Sequence, residues 1–234
     1  MRRLFALILL LCAAGCAGNR CPETYDVHYL SRAEINIDGI INEPVWKRAV
    51  SEKDFIFPWE QRDAPLTKFR AFCDDEFFYF CFQVHDEDPV FEEKFESESV
   101  VDVEDRVEIF FARDAKLKEY YCLEVDPLGR VHDYAARYYR KFDSTWKCSG
   151  LRTAAAITKT GYEIEGSIPL KTLEELGLPS LHSGSILRIG LFRAEFSRGQ
   201  GSDLEQHWIS WVDLSKYKPD FHIPEAFGCM RMVK

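Results

Sequence analysis

Apolar and polar residues alternate along Asp105-Arg106-Val107-Glu108-Ile109-Phe110-Phe111, placing Val107, Ile109 and Phe111 on one face of a strand and Arg106, Glu108 and Phe110 on the other. The first face can join a core. The second sets a carboxylate and a guanidinium beside a phenyl ring, the set a sugar site uses: the ring covers apolar C–H faces and the charged groups bond hydroxyls. The same spacing also fits an exposed Glu–Arg pair next to an isolated surface phenylalanine.

Other stretches repeat the period of two. Lys68 to Phe72, a turn at Asp74-Asp75-Glu76, and Phe77 to His85 form the clearest hairpin, aromatic on both faces and therefore central. Glu119 to Asp126 with Arg130 to Ala135 reads as a second hairpin, and Ala154 to Thr158 with Tyr162 to Ile168 as a third. Ile35 to Gly39 reads as a short strand ending in an Asp-Gly turn, followed by Trp46, large enough to plug a core. Pro169 to Leu176, stopped by Gly177 and Pro179, is the convincing helix of the second half. Ile186 to Glu195, His207 to Trp211 and the segment from Phe221 to Val233 supply further strands. Many short strands and little helix predict an all-β, antiparallel sandwich or jelly-roll-like domain with one or two short helices.

Composition narrows the partners. The 234 residues carry a net charge of −9 and a sequence pI of about 5.3, which disfavours nucleic acid because a phosphate backbone needs clustered Lys and Arg. Arg2-Arg3, the apolar run Leu4 to Leu11, and Ala13-Ala14-Gly15 before Cys16 read as an export leader. The arrangement resembles a bacterial lipoprotein signal, with Ala13 where Leu is more usual. That predicts a signal peptide over 1–15, lipidation of Cys16, a tether over 16–30 and a binding domain over 31–234. The same leader also fits a secreted protein without lipid. A lipid-anchored product would stand in an oxidising compartment of the bacterial envelope, with the periplasmic face preferred because no acidic run follows Cys16. Of eight cysteines, six remain after Cys12 and Cys16, enough for three bridges in any of 15 connectivities or for buried thiols inside strands. No thiolate zinc spacing occurs.

Several residues are candidates for chemistry. Trp59 follows Pro58 and suits an edge platform or a core plug. Arg193 and Glu195 end an otherwise apolar row, where a buried strand emerges into a polar site. Asp86-Glu87-Asp88 could hold a structural calcium through oxygen ligands, or be a solvated turn.

Ile37-Asp38-Gly39 with Trp46, the hairpin TKFRAFCDDEFFYFCFQVHD, EDRVEIFF, GYEIEGSIP, ISW and the terminal FHIPEAFG together resemble the family 9 carbohydrate-binding modules, and more broadly the DOMON-type sandwiches. The resemblance implies a non-catalytic sugar-binding domain acting beside polysaccharide degradation or uptake. It places the binding glutamate at Glu108, an aspartate at Asp86 and an aromatic platform at Phe221, with the late-strand amide falling on or beside Arg193. It also shows departures: Asp102 stands where a second stacking tryptophan is expected, and Glu124 near the place of a binding arginine. The alternatives are a haem-binding DOMON domain using Met230 or Met232 with His85 or His132, and a structural lipoprotein whose sugar site has decayed. A glycosidase would need a carboxylate partner for Glu108, which no motif supplies.

Overall fold

The computed structural model describes residues 21–31, 33–179, 182, 184–199 and 203–233. The expected leader over 1–15 and Cys16 lie outside these residues. The described residues are mostly β, with twelve strands in one curled sheet. Strands β1 (Thr24–Tyr29), β2 (Thr67–Cys73), β3 (Phe77–His85) and β4 (Arg106–Ala112) come first. They are followed by β5 (Tyr120–Val125), β6 (Val131–Arg137), β7 (Lys141–Asp143), β8 (Arg152–Thr158) and β9 (Gly161–Pro169). After helix α1 (Leu170–Glu175) the chain ends with β10 (Ile186–Arg198), β11 (Leu204–Ser210) and β12 (Gly228–Val233). The spatial order is β7-β6-β5-β4-β10-β12-β1-β2-β3-β9-β8, with β11 paired to β10.

The curl brings β3 and β4, far apart in the strand order, into contact across the core. Phe78 on β3 meets Phe111 on β4 edge to face, with ring centroids 6.0 Å apart. Phe80, Phe82, Ile164, Val107, Ile109 and Leu191 fill the same core and are almost wholly excluded from water. Each such side chain contributes about 1.5–3 kcal/mol by burial, which is why the alternating rows decide the fold.

The three predicted hairpins pair antiparallel as β2–β3, β5–β6 and β8–β9. The sheet is nevertheless mixed, because β1 runs parallel to both β12 and β2. Within the expected tether over 16–30, Thr24–Tyr29 forms this strand, while residues 16–20 lie outside the described residues. Tyr25 and Val27 are buried at 1% and 0% exposure, and the Tyr25 hydroxyl donates to Val50 O at 2.7 Å while accepting from Ala71 N at 2.7 Å. A Cys21–Cys229 disulfide, with Cα atoms 5.6 Å apart, ties the start of β1 to β12. Among the described residues Cys73, Cys81, Cys122 and Cys148 are buried free thiols, so the three bridges allowed by counting reduce to one.

Ile35 to Gly39 is not a strand. Its backbone amides are taken by carboxylates instead of a ladder: Asn36 N donates to Glu43, and Asp38 N and Gly39 N donate to Glu165 at 3.2 and 3.0 Å. Glu165 also accepts from Trp46 Nε1 at 2.8 Å, fixing Trp46 as a core plug against Phe72. Gly39 has φ +85°, and a Cβ there would fall 2.5 Å from the Ala155 carbonyl carbon, so only glycine closes this loop onto β8.

Candidate functional site

Register decides which side chains share the outer face of β4. Glu108 pairs with Glu124 on β5 and with Phe192 on β10, while Arg106 pairs with Ala194, itself opposite Trp208 on β11. Paired residues project to the same side of a sheet, so Arg106, Glu108, Glu124, Phe192 and Trp208 face outward together. The segment after β11 crosses this face and lays Phe221 and His222 on it. Trp59 arrives from the other side, held by the Ile56–Ser210 backbone pairing and by donation from its Nε1 to Leu214 O and Tyr217 O. The result is an open hollow with about 420 Å³ of empty space, lined by Glu108, Glu124, Arg106, Trp59, Trp208 and Phe221, with Arg140, Asp220 and His222 at its rim.

Arg106 organises the floor. Its Nε lies 3.0 Å from Glu108 Oε1 and 2.6 Å from Glu124 Oε2, and its Nη1 donates to the Asp102 carbonyl at 3.1 Å. Its guanidinium stands 5.5 Å from the Trp208 ring, and the Tyr134 hydroxyl donates to Glu124 Oε1 at 2.7 Å. Two buried carboxylates thus share one cation. Burial, and then the neighbouring Glu124 charge, push the Glu108 carboxyl up to about 8 against the pull of Arg106. Burial would lower the Arg106 pKa, but Glu108 and Glu124 outweigh it and hold the guanidinium above its ordinary value. His222 is held down to about 4 by burial, with Arg140 adding to the effect, and its Nδ1 lies 3.0 Å from the Tyr120 hydroxyl, so it is a neutral ring at pH 7.

The predicted residues divide into two groups. Glu108, Arg106, Trp59 and Phe221 meet in the hollow. Phe221, however, is 5% exposed, flat against Phe192 at 4.1 Å and 12°, and stacked with Trp59 at 5.5 Å. Its ring faces are taken, so it supports the platform and the partly exposed indoles of Trp59 and Trp208 form it. Arg193 and Asp86 are elsewhere. Arg193 pairs with Val107, which puts it on the core face, at 0% exposure. There it donates to Thr67 Oγ1, His85 O and Asp86 Oδ2 at 3.3, 3.1 and 3.3 Å, and it contacts Glu195. Asp86 is therefore an internal ion-pair partner. Of its neighbours, Asp88 pairs with Arg198 at the surface and Glu87 is exposed.

Among the described residues two trios bring candidate metal donors within 4.8 Å of one another, Asp102–Glu124–His132 and Asp86–Asp105–Glu195. Arginine neutralises each, Arg106 at Glu124 and Arg193 at Asp86 and Glu195. Met230 and Met232 are packed in the core, whereas His132 pairs with Glu124 on the outer face and His85 is exposed at the end of β3.

Trp208, Arg140, Asp220 and His222 were missed by sequence reasoning. Alternation along His207-Trp208-Ile209-Ser210-Trp211 shows which residues share a face, but the register with β10 shows which face it is.

A search of curated proteins finds no match. Among solved structures, a protein of Bacteroides uniformis ATCC 8492 to which carbohydrate binding has been ascribed superposes with TM-score 0.69 at 16% identity, covering 90% of this chain and 99% of its own. A family 9 carbohydrate-binding module of Caldicellulosiruptor kristjanssonii, solved with glucose and with cellotriose, gives TM-scores of 0.59 and 0.60 at 16% identity, covering 90% of this chain and 95% and 94% of its own. Residues 37–234 match the model of the carbohydrate family 9 binding domain-like family, and the chain belongs to that family.

Proposed function

We propose that the hollow on the outer face of β4, β5 and β10 binds a sugar ring without cleaving it. The observation that carries this reading is the convergence of the Glu108–Arg106–Glu124 cluster with Trp59 and Trp208 in one open space. A hexose offers apolar C–H faces and a girdle of hydroxyls; the indoles suit the first and the charged cluster the second. Because one fold neighbour was solved with glucose and cellotriose, β-linked glucose oligomers are the first class to test.

A glycosidase needs two carboxylates roughly 5 to 10 Å apart with the scissile bond between them. Here the Arg106 guanidinium fills the gap between Glu108 and Glu124, which favours binding over hydrolysis. The curled sheet, its halves meeting at Phe78 and Phe111, reads as a β-sandwich of jelly-roll type. The leader ending in Ala13-Ala14-Gly15-Cys16 supports lipid anchoring at Cys16, on the periplasmic face of a bacterial envelope, beside polysaccharide degradation or uptake.

A glycan screen followed by calorimetry on the hits tests the reading. Binding that weakens roughly tenfold or more in Trp208→Ala and in Glu108→Gln supports it. Turnover of a glycoside by the purified protein would overturn the non-catalytic assignment.

A further inference from the structure

Cys21 is fixed to the sheet by its disulfide to Cys229, which pairs with Arg188 on β10, itself opposite Ala112 on β4. The same row runs on through Tyr120 on β5 and Ala136 on β6 to Phe142 on β7. Cys16 precedes Cys21 by five residues, so even a fully extended chain allows at most about 18 Å between them. An acyl group on Cys16 would therefore leave this row of the sheet close to the lipid headgroups.

Free cations collect at the end of the sheet that the row borders. Lys116 and Lys118 lie on the β4–β5 turn, Arg137 and Lys141 face each other across the β6–β7 hairpin, and Arg188 stands next to Cys229. Among the described residues none of the five makes an ion pair, although the whole chain carries a net charge of −9. Like charges directly opposite on neighbouring strands repel, so Arg137 and Lys141 favour an anion beside them. The acids of the β4–β5 turn are engaged: Asp114 Oδ1 accepts from Lys116 N at 2.7 Å and Glu119 pairs with Arg113. Arg113, Lys118 and Arg137 line one open hollow with about 830 Å³ of empty space. Tyr138 N donates to Leu117 O at 2.9 Å, joining the two turns, and the Tyr138 side chain there is 51% exposed. An exposed tyrosine among lysines and arginines suits the level of lipid headgroups. The acidic turn Asp74-Asp75-Glu76 closes the same end on the far side of β1, because β1 and β2 run parallel.

We propose that the cationic half of this end, over β4 to β7, rests on anionic phospholipid headgroups, with the acyl group of Cys16 inserted beside it. The inference rests on the reading of Cys16 as a lipidated residue. It also fixes which way the sugar hollow stands. Glu108 is four residues from Ala112 along β4 and Ala194 is six from Arg188 along β10, so the hollow's floor lies about 13–20 Å further from the lipid than the row.

Amine labelling of the full, acylated chain on vesicles tests the inference, once mass spectrometry has read the modification of Cys16. Phosphatidylcholine vesicles are compared with vesicles that also hold phosphatidylglycerol. Lys116, Lys118 and Lys141 are expected to react roughly fivefold or more slowly on the anionic vesicles, the margin of one cation near a charged surface. Lys94 and Lys159, exposed elsewhere, are expected to keep their rates. High salt is expected to remove the difference, and so is Lys118→Glu combined with Arg137→Glu, read at Lys116 and Lys141. Equal rates on the two kinds of vesicle overturn the docking and leave lipidation standing. Slowing by a soluble sulfated polysaccharide but not by anionic vesicles overturns it too, and assigns the cations to an acidic glycan. A Cys16 that carries no acyl group overturns the anchoring itself, and this orientation with it.

Discussion

Phe221 lies flat on Phe192, ring centroids 4.1 Å apart and planes 12° apart, and Trp59 stacks on Phe221 in turn. The stack joins the crossing loop, β10 and the 55–59 segment, and it sets where the Trp59 indole stands in the hollow. Phe221→Ala is therefore expected to cost about 3–5 kcal/mol of stability, as for other buried phenylalanines, and to weaken sugar binding by loosening Trp59. Trp59→Ala is expected to weaken binding with a smaller loss of stability. Denaturant unfolding and calorimetry on the two variants separate support from contact.

The buried cluster on the floor carries a pH signature. The Glu108 carboxyl is raised to about 8 in the folded chain, first by burial and then by Glu124, whereas an unfolded chain titrates it near its ordinary value of 4.5. Between these two values the folded state binds the extra proton, so stability falls as pH rises through that window. Glu108→Gln removes the titration. Its stability relative to wild type is expected to rise from pH 5 to pH 9, read from unfolding midpoints at each pH. A pH-independent difference would show that Glu108 is ionised throughout.

The Cys21–Cys229 bond closes a span of 208 residues. In the chain-entropy account a loop of this length stabilises by about 5 kcal/mol, less any strain. Cys229→Ser is expected to lower the unfolding midpoint strongly. Among the described residues the four free thiols should resist alkylation in the native state, because burial pushes Cys73 and Cys148 up to about 12 and raises Cys81 and Cys122 as well. Thiol labelling before and after denaturation checks both statements.

Much of this was legible in the sequence because side-chain alternation is a local property. The rows of β3 and β4, the three hairpins and α1 follow from it, and so does the pairing of Arg106 with Glu108 on one face. Face assignment across strands is not local. Arg193 sits in a row with Ile189 and Leu191, which the register places against Val107 in the core, so a charged side chain that looked like the edge of a site is an internal ion pair with Asp86. β1 escaped notice because Thr24, Asp26 and His28 dilute its two inward residues, Tyr25 and Val27. The covered faces of Phe221 depend on Phe192 and Trp59, which are distant in the chain, and no local pattern reports them.

The most direct test is calorimetric titration of the hits from the glycan screen into wild type, Trp208→Ala and Glu108→Gln. Saturable binding by wild type that each substitution weakens at least roughly tenfold, with unfolding midpoints showing both variants folded, is the expected result. Both folded variants binding as tightly as wild type would contradict the placement of a sugar between the indoles and the Arg106 cluster.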